Sequence, residues 1–262
     1  MKFCALSSSS RGNCCYISSG SGSILVDAGI SSKRIFCTLE SIDVDPLKIS
    51  AILITHEHID HVSGLRVLAK RTGADVYATR AVLEYLARNN MVEASTRLFE
   101  VDGQPFSAAG IKVTAFPTSH DSVGSVGYRI ELQDERKIGI ATDLGVVTDE
   151  VISGVSGCEV VMLESNYDED RLWNGPYPYI TKKRIASPMG HLSNGSSAML
   201  SQYLIQNGTT RLVLAHLSQE NNTPQLAQIA TELALNEISA VRGKDYDLMV
   251  APHDCAERLV RI

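Results

Sequence analysis

The amino-acid sequence predicts an α/β protein with two β-sheets packed face to face and helices on both outer faces, a four-layer αββα sandwich. One observation is the order of patterns along the chain, which runs strands, helices, strands and helices. Another is the composition, since 44% hydrophobic and 21% charged residues suit a chain that buries a substantial core. No linker, low-complexity tract or short-period repeat divides the 262 residues, so we predict a single domain over residues 1–262.

The stretch before residue 97 predicts one sheet and its helices. In chain order the predicted elements are the strands KFCAL, NCCYIS and SILVDAG, the helix SSKRIFCTLESI, the strand AILITH, the helix VSGLRVLAKRTG, the strand ADVYAT and the helix TRAVLEYLARNN. Serines open the first helix and are fit to cap it. The run AILITH is apolar and β-branched, which is typical of a strand covered on both faces.

Residues 97–142 predict the second sheet, with strands joined by short turns and a hairpin at QDER. Helix and strand then alternate through VTDEVISGVSG, CEVVMLES, SNGSSAMLSQYLIQNG, TRLVLAHLS, TPQLAQIATELALNEI and YDLMVAP. The stretch 165–192 is rich in Tyr, Pro and basic residues and reads as one long irregular segment. Such long loops inside compact domains are usually functional or disordered, so we predict a basic and aromatic substrate loop at about 165–192.

Composition and charge limit the location and the partners. The net charge of −6 argues against coating nucleic acid by bulk electrostatics, although it leaves room for a local basic groove. The opening MKFCALSSSSRGN lacks the features of a signal peptide, and no apolar run approaches the roughly 20 residues that span a bilayer. Six cysteines without CxxC spacing read as small buried hydrophobes in a reducing compartment. We therefore predict a cytoplasmic protein with no membrane partner.

Residues 52–64, ILITHEHIDHVSG, hold three of the seven histidines and an aspartate within one short stretch. His56 and His58 are two apart at a strand end, so their side chains leave the same face if the extended geometry persists. Asp60 and His61 are adjacent, just precede a helix and are expected to point elsewhere. A catalytic zinc typically takes three protein ligands and keeps an open position. The four residues therefore predict two neighbouring metal ions.

Further ligands follow three other strand-like runs. His120 ends IKVTAFPTSH, Asp143 follows KIGIAT and His216 follows RLVLA, where strand-borne side chains would project into a shared edge. A carboxylate such as Asp143 can bridge two cations. The alternative is that each position is an unrelated polar residue at a strand end. That explanation suits any one of them, above all His120 or His216, but not the set of seven.

The motif H-x-H-x-D-H at 56–61, followed by a single His, an Asp and a final His, resembles the metallo-β-lactamase-fold hydrolases over the whole chain. The resemblance implies an αββα sandwich with two divalent ions. It assigns one ion to His56, His58 and His120, the other to Asp60, His61 and His216, and the bridging position to Asp143. Asp27 in ILVDAG is similar to a supporting strand-end aspartate that is not a ligand. Nitrogen and oxygen ligands suit both Zn²⁺ and Mn²⁺.

The segment GHLSNGSSAML at 190–200 favours a phosphodiester substrate. His191 stands just before a predicted helix start, with Ser193 or Asn194 as the cap. A helix N-terminus offers free N–H groups to an anion, and His191 could contact a phosphate or protonate a leaving oxygen. The alternative for His191 is a surface histidine in a capping region.

Two further stretches favour the same substrate. The basic cluster TKKR contains Lys182, Lys183 and Arg184 just before GHLS, although a solvated charged face is the usual explanation of such a run. Trp173, Tyr177 and Tyr179 could stack bases or order the loop by packing. The turn SSSSRGNC at 7–14 could form an anion nest if it borders the metals.

Together with ESNYD at 164–168 and LAHLSQENN at 214–222, these stretches resemble the YycJ/WalJ (VicX) family of bacterial metallo-β-lactamase-fold proteins. The resemblance implies a metal-dependent DNA exonuclease that acts 5′ to 3′, including on duplex DNA. It also implies a link, in some bacteria, to DNA repair and to a cell-wall two-component system. Related ribonucleases insert a domain between the bridging Asp and the final His. The interval from Asp143 to His216 has no room for one, so a nucleic-acid channel requires loops or a second subunit.

The sequence thus predicts a dinuclear phosphodiesterase in which a metal-bridging hydroxide attacks phosphorus. Asp60 would orient the hydroxide and accept its proton, and His191 would assist the transition state. The residues expected to hold the substrate are Lys182, Lys183, Arg184, Ser193 and Asn194. One alternative is a hydrolase of small esters, lactones or cyclic nucleotides, which the negative net charge favours. Another is a regulatory partner in a signalling complex. His253 has no assigned role.

Overall fold

A computed structural model of the protein describes residues 2–20, 22–253 and 260–261. Its strands are β1 (Lys2–Ser7), β2 (Cys14–Ser18), β3 (Ser23–Val26), β4 (Ile49–Leu53), β5 (Asp75–Ala78), β6 (Leu98–Glu100), β7 (Phe106–Ala108), β8 (Ile111–Pro117), β9 (Val126–Glu131), β10 (Lys137–Ala141), β11 (Val160–Glu164), β12 (Arg211–Ala215), β13 (Asp247–Val250) and β14 (Val260–Arg261). Its α-helices are α1 (Ser32–Ser41), α2 (Ile59–Val62), α3 (Leu65–Thr72), α4 (Arg80–Arg88), α5 (Asp149–Val155), α6 (Glu169–Asn174), α7 (Tyr179–Ile185), α8 (Asn194–Gln206) and α9 (Pro224–Glu237).

The described strands form two mixed sheets of seven strands each. The first has the order β14-β1-β2-β3-β4-β5-β6 and the second β13-β12-β11-β10-β9-β8-β7. Neighbours from β3 to β6 are parallel, and so are neighbours from β10 to β13. Because the carboxyl ends of parallel strands share an edge, the residues that follow β3 and β4 gather at one edge. Those that follow β10, β11 and β12 gather at an edge of the other sheet.

The hydrophobic core lies in three layers. Side chains from both sheets meet between them, including Ile17 from the first sheet and Tyr128 from the second. Helices α1, α3 and α4 cover the outer face of the first sheet, where Leu39 and Leu68 are buried. Helices α5, α8 and α9 cover the second sheet in the same way, with Leu204 in that core. The structure therefore has the αββα layers that the order of sequence patterns predicts.

Helix boundaries follow the capping chemistry of the sequence. Ser31, Thr148, Ser193 and Thr223 each accept a hydrogen bond from a backbone N–H in the first turn of their helix. Helix α3 ends at Gly73, whose φ of 70° is a left-handed conformation that favours glycine. These local signals explain why the predicted helices and the observed ones agree.

The prediction for residues 165–192 needs correction. Residues 165–192 are not one irregular segment, because α6 and α7 form within it. Asp168 caps α6, and the acidic residues in its first turn favour that end of the helix. Gly175 follows the last turn of α6 and Pro178 comes just before α7, so these residues separate the two helices. Asp60 and His61 lie in the one-turn helix α2 and, as predicted, come just before a helix, α3.

The cysteines also depart from the prediction. Cys37 is exposed on α1, whereas Cys4, Cys14, Cys15 and Cys158 are buried as expected. Cys255 lies outside the described residues. Across the described residues no helix combines the length and the apolar character needed to cross a membrane.

Candidate metal centre

The metal centre lies where loops from both sheets meet. The segment after β4, which includes α2, carries His56, His58, Asp60 and His61. The other residues follow strands of the second sheet, His120 after β8, Asp143 after β10 and His216 after β12. Folding the two sheets against each other therefore assembles side chains that are far apart in the sequence.

Three strand-end residues have a strained backbone that turns them into the site. Asp27, Asp143 and His216 have φ values of 62°, 57° and 55°, in the left-handed region that non-glycine residues rarely occupy. Such conformations cost on the order of 1–3 kcal/mol each and persist where the surrounding structure enforces them. Their occurrence directly behind β3, β10 and β12 indicates a functional requirement on the direction of these side chains.

The first ligand group consists of His56, His58 and His120, whose ligand atoms lie within 4.8 Å of one another. The Nδ1–H of His120 donates to Gly190 O at 3.0 Å, which leaves its Nε2 facing His58 Nδ1 at 3.3 Å. His56 Nδ1 contacts the Thr55 hydroxyl at 3.0 Å. Burial lowers the pKa of both His56 and His120. The two rings are therefore neutral and have lone pairs available to a metal ion.

The second ligand group consists of Asp60, His61 and His216. The Nε2 atoms of His61 and His216 each lie 3.4 Å from Asp60 Oδ2. Behind the rings, Asp27 Oδ2 accepts from His61 Nδ1–H at 2.8 Å, and Glu164 Oε1 accepts from His216 Nδ1–H at 2.9 Å. Asp27 therefore supports His61 from behind the group.

Carboxylates control the charge of the second ligand group. Burial alone would lower the pKa of His61 and His216, but the neighbouring carboxylates outweigh it. The pKa of His61 is raised, and that of His216 is raised to about 10. Burial would likewise raise the pKa of Asp60, but His61 and His216 lower it well below the usual range of a carboxyl group. In this group the carboxylates and the imidazoles therefore stabilise the charged forms of one another.

Asp143 lies between the two groups. Its Oδ2 is 3.3 Å from His61 Nε2, and its Oδ1 is 3.3 Å from His216 Nδ1 and 3.8 Å from His120 Nε2. Within the described structure, the buried atoms Asp143 Oδ2 and His56 Nε2 have no hydrogen-bond partner. Buried polar atoms are almost always paired, so these two require ligands of another kind. Nitrogen and carboxylate donors at this spacing fit divalent metal ions.

Glu164 is a functional residue to which the sequence assigned no role. It ends β11 and is fully buried, and its Oε1 lies 2.8 Å from His191 Nδ1 and 2.9 Å from His216 Nδ1. Its Oε2 accepts the N–H groups of Leu144 and Leu192. The sequence did contain a signal for Glu164, since it is the acidic residue that ends the apolar run VVMLE. That run forms β11, which lies between β10 and β12, the strands that lead to Asp143 and His216.

The turn SSSSRGNC borders the centre. Asn13 is buried, and its Nδ2 lies 3.0 Å from His61 Nε2 and 3.4 Å from Asp60 Oδ2. Ser8 Oγ accepts the backbone N–H of His216 at 2.8 Å. The turn therefore holds residues of the second ligand group in position. The anion nest proposed for its backbone stays a prediction.

His191 lies next to the metal ligands, and Ser193 begins helix α8. The His191 ring is partly exposed, with its centroid 5.1 Å from that of His120 and 5.3 Å from that of His216. Ser193 caps α8 and accepts the N–H of Ser196 at 3.1 Å. The Asn194 side chain instead lies in the interior, where it bonds to Ser165 and Asn222. Its role as a substrate contact stays a prediction, because these interior hydrogen bonds occupy its side-chain amide.

The three basic residues of α7 have different surroundings. Lys182 Nζ donates to the carbonyl oxygens of Trp173 and Gly175, and Arg184 pairs with Asp121 at 2.6 Å. Lys183 Nζ lies 5.7 Å from the centre of the Tyr179 ring. Two of the three predicted phosphate contacts therefore also fix the position of α7.

His253, to which the sequence assigned no role, accepts a hydrogen bond from the Ser7 hydroxyl through its carbonyl oxygen.

An αββα sandwich with a buried His/Asp cluster for divalent ions at the shared edge of its sheets defines a metallo-hydrolase. Residues 23–217 match the sequence model of the beta-lactamase superfamily domain, and the chain belongs to this superfamily and, within it, to the WalJ/YycJ family. The resemblance drawn from the sequence motifs is thereby confirmed.

Relatives match along the whole chain. It is 34% identical to the exodeoxyribonuclease WalJ of Streptococcus pneumoniae, over 100% of this chain and 98% of that protein. It is 33% identical to the exodeoxyribonuclease YycJ of Bacillus anthracis, over 95% of this chain and 94% of that protein. The crystal structure of the metallo-beta-lactamase fold protein YhfI from Bacillus subtilis aligns with a TM-score of 0.75 and 18% identity, over 97% of this chain and 98% of that chain. That structure confirms the fold.

Proposed function

We propose that this protein is a 5′→3′ DNA exonuclease that cleaves phosphodiester bonds with two divalent metal ions. The observation that carries the proposal is the position of His191. Its partly exposed ring lies next to His120 and His216, one from each ligand group, and the buried carboxylate of Glu164 holds it at 2.8 Å. A histidine there can serve a phosphate oxygen or a leaving oxygen. The full-length similarity to two exodeoxyribonucleases supports DNA as the substrate and the attack on its ends.

We assign the metal ligands by the two groups. His56, His58 and His120 would hold one ion, Asp60, His61 and His216 the other, and Asp143 would bridge them. Bound divalent ions would supply an activated water for in-line attack and offset the charge on the phosphoryl oxygens. The nitrogen and oxygen donors suit zinc and manganese alike.

Protein side chains would direct the proton transfers. Asp60 is partly exposed, and its Oδ2 lies 3.4 Å from the Nε2 atoms of His61 and His216. It would orient the attacking water and accept its proton. Glu164 accepts from His191 Nδ1–H, which leaves His191 Nε2 to assist the departure of the leaving oxygen.

The substrate would be held by α7 and by the start of α8. Lys183 is exposed beside Tyr179 and is free to meet a phosphate, while Lys182 and Arg184 add positive charge from their positions on the same helix. Ser193 and Asn194 would contribute through the first turn of α8. We further propose a cytoplasmic location. Homo-oligomer formation and a link to DNA repair or to a two-component system are proposals that rest on the family alone.

A 5′-phosphorylated DNA duplex labelled at either end would test the activity. Purified protein with Mn²⁺ or Zn²⁺ is expected to release mononucleotides from the 5′ end. His58→Ala should abolish the release, and His191→Ala should reduce it while retaining two metals per chain. No cleavage by protein shown to hold two metals would contradict the proposal. It would favour a hydrolase of small esters, lactones or cyclic nucleotides, which a panel of such substrates would identify.

A further inference from the structure

Helix α7 and the end of α6 expose a set of apolar side chains, and the last turn of α7 contacts residues next to the metal ligands. None of the α7 residues is buried in the described structure, and Tyr179 and Ile180 are 69% and 80% exposed. Trp173 is 44% exposed, with its ring 6.3 Å from that of Tyr179. We call these three residues the α7 tip. Isolated exposed apolar side chains are ordinary, but neighbouring large ones mark an interaction surface.

The α7 tip is fixed relative to the metal ligands. The Lys182 ammonium joins α7 to the end of α6 through Trp173 O at 2.8 Å and Gly175 O at 2.7 Å. At the other end of α7, Arg184 pairs with Asp121, the residue after His120. Ile185 O accepts the N–H of His191 at 2.9 Å. A surface held this closely to the site is placed for a molecule that occupies the site as well.

The charge around the α7 tip identifies the kind of molecule. Of the three cations on α7, Lys182 is bound by two carbonyl oxygens and Arg184 by Asp121, while Lys183 is exposed beside the Tyr179 ring. A surface with aromatic and aliphatic groups beside cations matches the two faces of a nucleic acid, since bases stack on the rings and phosphates meet the cations. A second copy of this acidic chain would match the cations through its carboxylates, and the sedimentation measurement below distinguishes it from DNA.

The depth of the metal ligands explains why an apolar surface is needed there. His56, His61, Asp143 and His216 are buried, and only His58, Asp60 and His191 are partly open to solvent. A phosphodiester bond must enter this opening to reach the ions, and a paired strand would bring its complement with it. Proteins that open base steps insert apolar side chains between them, at the cost of lost stacking.

We propose that the α7 tip is a wedge that stacks on the terminal base pair of duplex DNA and parts its strands. The 5′-ended strand then enters the metal centre while Tyr179 and Ile180 block its complement. This inference rests on the proposed exonuclease function and specifies its substrate as the end of a duplex.

The test compares the double variant Tyr179→Ala/Ile180→Ala with wild-type protein on two substrates of one sequence, duplex and single-stranded, both 5′-phosphorylated. The duplex rate is expected to fall about tenfold or more, because stacking on a ring accounts for much of the contact with a base. The single-stranded rate should fall by a smaller factor than the duplex rate, because a single strand loses stacking on the ring but needs no strand opening. A duplex with mismatches at its 5′ end should restore the rate. The matched control Ile229→Ala/Leu233→Ala removes two exposed apolar side chains from α9 and should behave as wild type on both substrates.

An equal loss on both substrates, or no loss on the duplex, would overturn the wedge. If wild-type protein sediments as a dimer and the double variant as a monomer, the surface belongs to a second copy and the wedge is overturned. Strand opening is measured separately from cleavage, with His191→Ala protein and a fluorophore and quencher on facing strands at the duplex end. Emission should rise on binding only when the α7 tip is intact. No rise would overturn the wedge even in an active exonuclease, whereas a rise without any cleavage by wild type would retain it and reject the proposed function.

Discussion

The two ligand groups use the same imidazoles but differ in what stands behind them. In the first group, His56 contacts the Thr55 hydroxyl and His120 donates to the Gly190 carbonyl, and both partners are neutral. In the second group, His61 and His216 donate to the buried carboxylates of Asp27 and Glu164. Neutral partners orient a ring, whereas carboxylates also stabilise positive charge on it.

This difference sets the charge of each group before metal binds. The pKa of His56 and of His120 is lowered, so these rings carry no proton that a metal must displace. The pKa of His61 and of His216 is raised, so protons balance the surrounding carboxylates. Buried charge needs a partner, and a metal ion at the second group would replace those protons. The two positions should therefore respond differently to mutation and to pH.

The largest effect is expected where the two groups meet. Asp143→Ala removes the carboxylate that lies within 3.8 Å of ligand atoms from both groups. Activity should fall by more than the roughly 10–100-fold typical of losing a residue that only supports a ligand. Metal analysis should show fewer than two ions per chain. The matched variant Asp134→Ala changes an exposed carboxylate in the β9–β10 turn and should retain the activity and two ions per chain. Two tightly bound ions in Asp143→Ala would show that the groups are independent.

A smaller effect is expected from the support behind the second group. Glu164→Gln keeps the size of the side chain but removes the charge that faces His191 and His216. Metal affinity at the second group should fall roughly 10–100-fold while the first group is unchanged, which competition with a chelator would resolve. Glu159→Gln, on the surface just before the same strand, is the control. An equal loss of metal affinity at both groups would contradict the distinction between them.

The smallest effect is a difference in pH dependence. A raised pKa means that His216 stays protonated until the pH approaches about 10, so below that value a metal must displace the proton. Affinity at the second group should therefore fall about tenfold per pH unit for each displaced proton as the pH drops from 8 to 7. Titration calorimetry in buffers of different ionisation enthalpy would count the protons released. Equal release at both groups would contradict the assignment of charge.

Much of the site could be predicted because its ligands have recognisable local sequence patterns. His56, His58, Asp60 and His61 lie within one short stretch, and His120, Asp143 and His216 each follow an apolar strand. Strand and helix patterns gave the layers for the same reason, since their periodicity is a local property of the chain. Glu164 was missed because the acid that closes its strand is a weak signal by itself, and its role comes from two histidines that lie far along the chain.

The sequence by itself determined the fold class, the ligand types and the strand ends that carry them, because hydrophobic periodicity and residue chemistry are local. Only the tertiary structure decided that Lys182 and Arg184 fix α7 in place, that Asn194 faces the interior, and that Asp27 and Glu164 charge the second ligand group. Each of these outcomes depends on partners distant in the chain. The partner, and not the residue type, decides whether a charge is buried, balanced or left free for a substrate.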